Sequence, residues 1–292
     1  MRPLTTLAPG KVNLCLFVGV PRRDGYHPLV SVFQAVSLAD ELVLAPGRGG
    51  RDEVVCAGVS GPNLAARALA AYREASGWDG PPVRLTIHKH VPVAAGMGGG
   101  SADAAAALRL AAHAAGRPGD PLLEVLAPTL GADVPSALTP GRALVTGIGE
   151  TVEPLPPGRP AALVVVPSLA ELSTPAVYRE ADRLGTPRAA GELARAEQDV
   201  RAALRSGGAL PAVNDLQDAA RSLCPSIDGT LDEVARAGAR AVLVSGSGPT
   251  VFGSFDDPAL AERAAAVLRD RHPGALVVRA AGDQDAAVHE AA

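Results

Sequence analysis

Residues 91–108 read VPVAAGMGGGSADAAAAL: four of the five positions 96–100 are glycine, and from Ser101 to about Ala115 the chain is almost pure helix former. Setting the most permissive residues directly against the best helix formers puts a loop at the start of a helix. In such a loop successive backbone N–H groups face one point, and the helix dipole adds about half a positive charge there. The junction is an anion cradle. It is not a P-loop, which ends in lysine followed by Ser or Thr, where Ser101, Ala102 and Asp103 stand here. Nor is it the glycine fingerprint of a dinucleotide-binding βαβ unit.

The other elements are punctuated by Gly and Pro. Segments 12–20, 29–36, 41–45 and 83–91 read as strands, and 61–76 as a helix with Asn63 at its N-cap. A helix over 120–130 is followed by GADVPSAL (131–138) and strands near 142–153. LPPGRP (155–160) is the best linker. Beyond it come a buried strand (161–166) and helices at about 174–184, 190–206, 215–223 and 227–238. A strand, glycine loop and strand follow over 240–255, then one more helix and strand. Strands and helices mix without steady βαβ alternation, which predicts an α+β pair of domains, 1–157 and 158–292.

Composition narrows the function. Hydrophobic residues make up 47% and charged residues 20%. No apolar run approaches the roughly 18 residues of a membrane span, so a soluble globular protein is expected. The net charge of −4 speaks against nucleic-acid or membrane partners and for a small-molecule one. The N-terminal residues contain no apolar stretch of signal-peptide length, and Cys15, Cys56 and Cys224 fit neither a disulfide framework nor a zinc site. A cytoplasmic protein with reduced thiols is expected, as a monomer or weak homodimer. Of the 27 basic residues only Lys11 and Lys89 are lysine. A lysine kept where arginine is the default marks a site that needs a compact point charge.

The string P-x-x-x-G-[LM]-G-G-G-S, here Pro92, Gly96, Met97, Gly98, Gly99, Gly100 and Ser101, resembles the ATP-binding motif of the GHMP kinases. APGKVNLCLFVGVPRRDGYHPL near the N-terminus, GADVPSAL, and VLVSGSGPTVFGSF (242–255) fall in the order and spacing of that superfamily's motifs. PGKVNL with RRDGYHPL is most similar to the branch that phosphorylates diphosphocytidyl-methylerythritol. The resemblance implies a two-domain GHMP kinase fold, with an N-terminal ribosomal-S5-like ATP-binding domain and a C-terminal α/β-sandwich domain.

It also implies ATP on the glycine loop, with Lys89 near the nucleotide and Mg²⁺ riding on the phosphate oxygens within reach of Ser101. Asp133 is implied as catalytic base, Lys11 beside it, and Asn13 ordering the same site. Tyr26 and His27 are implied to grip the cytosine of a cytidine diphosphate derivative, and two adjacent rings in a chain poor in aromatics suit a flat base. Ser247 and Gly248, in a second glycine turn with Ser245 and Gly246, fall at the acceptor end. Thr174 and the pair Asn214 and Asp215 echo family contacts with the substrate pocket. Asn63 has two readings, helix cap and adenine contact. Another small-molecule kinase of the superfamily, of homoserine or mevalonate type, and a non-catalytic nucleotide sensor are the competing readings.

Overall fold

The computed structural model describes residues 1–291 except 60, 159–161 and 169. In chain order the strands are β1 (Leu4–Val18), β2 (Leu29–Pro46), β3 (Glu53–Cys56), β4 (Val83–His88), β5 (Arg142–Thr146), β6 (Thr151–Leu155), β7 (Ala162–Val166), β8 (Ala241–Val244), β9 (Val251–Phe255), β10 (Leu276–Val278) and β11 (His289–Glu290). The helices are α1 (Leu64–Ser76), α2 (Gly99–Ala114), α3 (Leu122–Leu130), α4 (Val134–Leu138), α5 (Thr174–Leu184), α6 (Ala190–Ser206), α7 (Gln217–Leu223), α8 (Ser226–Arg236) and α9 (Pro258–Leu268).

Two sheets organise these elements. The first runs β11-β1-β2-β4-β3, with β5 pairing β2 and β6 pairing β5; the second runs β10-β7-β9-β8. Among the described residues, the one parallel pair of strands in the first sheet is β3 with β4. The segments expected as strands at 29–36 and 41–45 are one continuous strand, Leu29–Pro46, in which the intervening Ala39 and Asp40 pair with Pro9 and Ala8 of β1. The expected linker and the expected strand 161–166 fall partly on residues 159–161, outside the described residues. Among the described residues no helix is long and apolar enough to cross a membrane.

The buried side chains of β1 and β2 divide among three apolar clusters. One packs with α1, α2 and α3 around Leu42, Leu44, Leu69, Leu85 and Leu108. A second sets Leu16, Val18, Phe33 and Val145 against Val164, Val244 and Phe255 of the second sheet, and a third joins Val12, Phe17, Val30 and Val32 with Leu163 and Val165. Ten residues of α2 are buried, seven of them alanine. Small side chains let this helix lie close to the sheet and to α1, which fixes its N-terminus. The chain then returns: β11 pairs antiparallel with β1, and the Thr6 hydroxyl donates to the Ala286 carbonyl at 2.7 Å.

Candidate active site

A cavity of about 830 Å³ is lined by both glycine turns, β1, Asp133 at the start of α4, and α5. Strand β1 enters it through a distortion. Its register with β2 shifts between Pro9 and Lys11 and again between Asn13 and Cys15. Irregularities of this kind re-aim the side chains they bracket, here Lys11 and Asn13. These are two residues apart, so both point to one face.

Lys11 Nζ donates to Asn13 Oδ1 at 2.7 Å and lies 3.5 Å from Asp133 Oδ2. The ammonium also stands 4.4 Å from the centroid of the Phe33 ring. Asn13 is held in turn, its Nδ2 donating to Ser31 Oγ at 2.9 Å. Asp133 opens α4 but makes no side-chain cap, so its carboxylate is given to Lys11 and the cavity and not to the helix.

The first glycine turn meets its sequence expectation in one respect and departs in another. Gly98 is the N-cap of α2, with φ +67 and no side-chain hydrogen bond to the first turn. The leading N–H groups are therefore free of a capping side chain and open on the cavity. A Cβ at Gly98 would stand 3.2 Å from Lys11 Cε and 3.5 Å from Asp133 Oδ2, whereas Gly100 faces open space. The Met97 side chain, by contrast, is buried among apolar residues such as Val12 and Val91. Its carbonyl accepts from the Lys11 N–H at 2.9 Å, so Met97 ties β1 to the loop through its backbone.

Lys89 lines the cavity wall, but its ammonium is held by Asp40 and, at 2.8 Å, by Asp103 Oδ2. Asp40 is fully buried and also accepts from the Val91 N–H at 2.8 Å. Burial lowers Lys89 and these two carboxylates raise it, with a net upward shift. Burial pushes the Asp103 carboxyl up to about 7 despite Lys89, and Asp103 Oδ1 has no hydrogen-bond partner.

The second glycine turn leans on the first. Ser245 Oγ donates to the Gly96 carbonyl at 3.0 Å, and a Cβ at Gly96, where φ is +74, would fall 2.1 Å from the Ser245 oxygen. Gly246 and Ser247 line the cavity. Gly248 does not: its Cβ would point at Val244 and Ala220, toward the core. Asn214 is likewise structural, donating to the Val244 and Gly246 carbonyls at 2.8 Å each. Asp215 forks onto Arg188 at 2.6 and 2.8 Å. Asn63 lines the cavity while its Oδ1 accepts from the Ala65 N–H at 2.8 Å; the cap is made.

Tyr26 and His27 do not form a vice with each other. Tyr26 is 60% exposed, whereas His27 is buried, its Nδ1 donating to the Gly19 carbonyl at 2.9 Å. The ring beside His27 is Tyr178 of α5, at 5.0 Å between centroids. Burial, with Asp133 adding, raises the Tyr178 hydroxyl, which stays an O–H donor at neutral pH. Tyr178, Arg179 and Asp182 escape a motif reading because they sit on an ordinary amphipathic helix. The trace they leave is an aromatic, a cation and an acid at one-turn spacing after Thr174, whose Oγ1 meets Ser247 Oγ at 3.0 Å.

The GHMP kinases N terminal domain model matches residues 63–141, and the GHMP kinases C terminal model residues 185–274. A 4-diphosphocytidyl-2-C-methyl-D-erythritol kinase of Kineococcus radiotolerans is 46% identical, covering 90% of this chain and 84% of its own. The chain belongs to the GHMP kinase family. A second such kinase, of Streptomyces coelicolor, is 45% identical over 91% of this chain and 92% of its own. The crystal structure of a 4-(cytidine 5'-diphospho)-2C-methyl-D-erythritol kinase superposes with a TM-score of 0.76 at 38% identity, covering 95% of this GHMP kinase and all of that chain.

Proposed function

We propose that the chain phosphorylates the 2-hydroxyl of 4-diphosphocytidyl-2-C-methyl-D-erythritol with ATP, a step of isoprenoid precursor synthesis outside the mevalonate route. One observation carries the chemistry: a lysine and a carboxylate 3.5 Å apart stand between an uncapped glycine turn and an aromatic wall, in one cavity. The glycine turn and the α2 N-terminus hold the ATP phosphates. His27 and Tyr178, with Tyr26 beside them, take the cytosine.

Phosphoryl transfer asks the protein for position and charge, with no covalent intermediate on the chain. The acceptor oxygen bonds to the γ-phosphorus as the bond from that phosphorus to the β,γ-bridging oxygen breaks. ADP leaves with the electron pair, and Asp133 takes the hydroxyl proton. Lys11, fixed by Asn13, stands against the developing charge. A divalent cation fits only as a guest of the phosphates, since no cluster of three or more metal-ligating side chains occurs among the described residues. Bound beside Ser101, Mg²⁺ would offset phosphate charge.

We place the reaction in the cytoplasm, in keeping with the free cysteines Cys15, Cys56 and Cys224, and divide the chain near residue 157, between β6 of the first sheet and β7 of the second, with β11 returning to the first. The test is ATP consumption by the purified protein with the cytidyl substrate, homoserine and mevalonate in parallel. Turnover with the cytidyl substrate alone is expected. Turnover with homoserine or mevalonate in its place would move the chain to another branch.

A further inference from the structure

Helix α5 runs along the cavity from the reacting end to the base end. At its first residue Thr174 meets Ser247, next to Gly246, where a Cβ would stand 3.5 Å from Lys11 Nζ. Eight residues on, Asp182 Oδ2 lies 3.4 Å from His27 Nε2. The rise of about 1.5 Å per residue separates these two points by about 12 Å along the axis. Thr174, Pro175, Tyr178, Arg179 and Asp182 all line the cavity, a spacing that marks one helix face.

Three cations line this cavity. Lys11 faces Asp133, and Lys89 is held between Asp40 and Asp103. Arg179 pairs with no carboxylate among the described residues, although Asp182 follows three residues later and faces His27 instead. The neighbouring Arg183 is neutralised by Glu180 at 2.7 Å. An exposed guanidinium without an internal partner thus stands on the wall of the cleft, five residues from the reacting end and three from the base end.

We propose that Arg179 binds the diphosphate of the acceptor and thereby selects a nucleoside diphosphate derivative over a small hydroxy acid. The inference rests on the acceptor named under Proposed function. With cytosine against His27 and Tyr178 and the reacting hydroxyl at Asp133, the diphosphate between them must cross the part of α5 where Arg179 stands. The planar guanidinium matches phosphate oxygens in a fork, and such charge-assisted hydrogen bonds are the strong ones. A carboxylate anchor for a small acid would be needed beside the Lys11–Asp133 pair; Arg179 stands instead one residue from Tyr178.

The experiment measures binding of cytidine and of CDP to the wild type, Arg179→Ala and Arg179→Lys by calorimetry, together with KM for ATP and for the cytidyl acceptor. Arg179 is exposed, so its truncation leaves the core intact. We expect Arg179→Ala to weaken CDP by about tenfold to a hundredfold while leaving cytidine and the KM for ATP unchanged. Arg179→Lys should recover part of the loss. Parallel weakening of cytidine and CDP, an unaltered affinity for CDP, or a KM for ATP that rises as much as that for the acceptor would overturn the assignment. A wild type that prefers CDP to cytidine with no narrowing in Arg179→Ala removes Arg179 alone. A wild type that binds neither ligand removes the acceptor as well.

Discussion

Lys11 Nζ and Asp133 Oδ2 stand 3.5 Å apart with the Cα of Gly98 beside them, close enough that a Cβ at Gly98 would crowd both side chains. Lys11 lies on β1 and Asp133 at the start of α4, where its side chain makes no cap. Their pairing is the centre from which the predictions follow.

Asp133→Asn keeps the shape and removes the proton acceptor. The turnover number should fall by about 10²- to 10⁴-fold, the range for loss of a general base, while ATP affinity stays within about twofold. Steady-state kinetics and nucleotide titration test this. Normal turnover by Asp133→Asn would exclude proton transfer to this residue.

Lys11→Arg keeps the charge yet should lose most activity. The lysine stem runs between the Phe33 ring and Gly98, a slot that suits a point charge and not a planar fork. Near-normal kcat in this variant would refute the requirement for a compact cation.

Two glycines of one turn should differ in their effect on stability. Gly96→Ala puts a methyl 2.1 Å from the Ser245 oxygen at a left-handed φ of +74, so both melting temperature and ATP affinity should drop. Gly100→Ala meets no atom within 4 Å and should fold as the wild type does, with a stability change of no more than about 1 kcal/mol, while its methyl intrudes on bound phosphate and weakens ATP. Equal melting temperatures for the two variants would contradict the packing of the turns.

Tyr178→Ala should weaken cytidine by about 1–3 kcal/mol, the value of one stacked base, and leave ATP binding unaltered. Titration of the variant with cytidine and with ATP checks both halves. Unchanged affinity for cytidine would show that the base lies elsewhere.

Asp103 makes stability depend on pH. Its folded pKa of about 7 lies above the roughly 3.9 of an unfolded aspartate, so the folded state binds the proton more tightly. Stability from this group is complete below pH about 4 and is lost as pH rises to about 7. Asp103→Asn removes that loss, and its urea midpoint should gain on the wild type between pH 5 and 8. Parallel curves for the two proteins would show that Asp103 does not titrate there.

Much of this was legible in the sequence, and the reasons differ by residue. The left-handed glycines of the first turn, the Asn63 cap and the long alanine helix are local features, written in propensity and φ, and the structure contains all three. The Lys11–Asp133 contact spans more than 120 residues and could be named through resemblance to GHMP kinases but not through spacing. Tyr26 and His27 both line the cavity, but adjacency in the chain does not stack them on each other: Tyr26 is exposed, and the ring that reaches the buried His27 comes from α5. Gly248 was grouped with its neighbours in the same turn, although successive residues of a tight turn face different ways. Lys89 was expected near the nucleotide, and its rarity was informative, but only the three-dimensional arrangement reveals Asp40 and Asp103 at its ammonium.

The hydrogen bond from Ser245 to Gly96 joins residues 149 positions apart in the chain. The first glycine turn is thus braced by the connection between β8 and β9, and a change at Ser245, which does not itself line the cavity, reaches the turn through this bond.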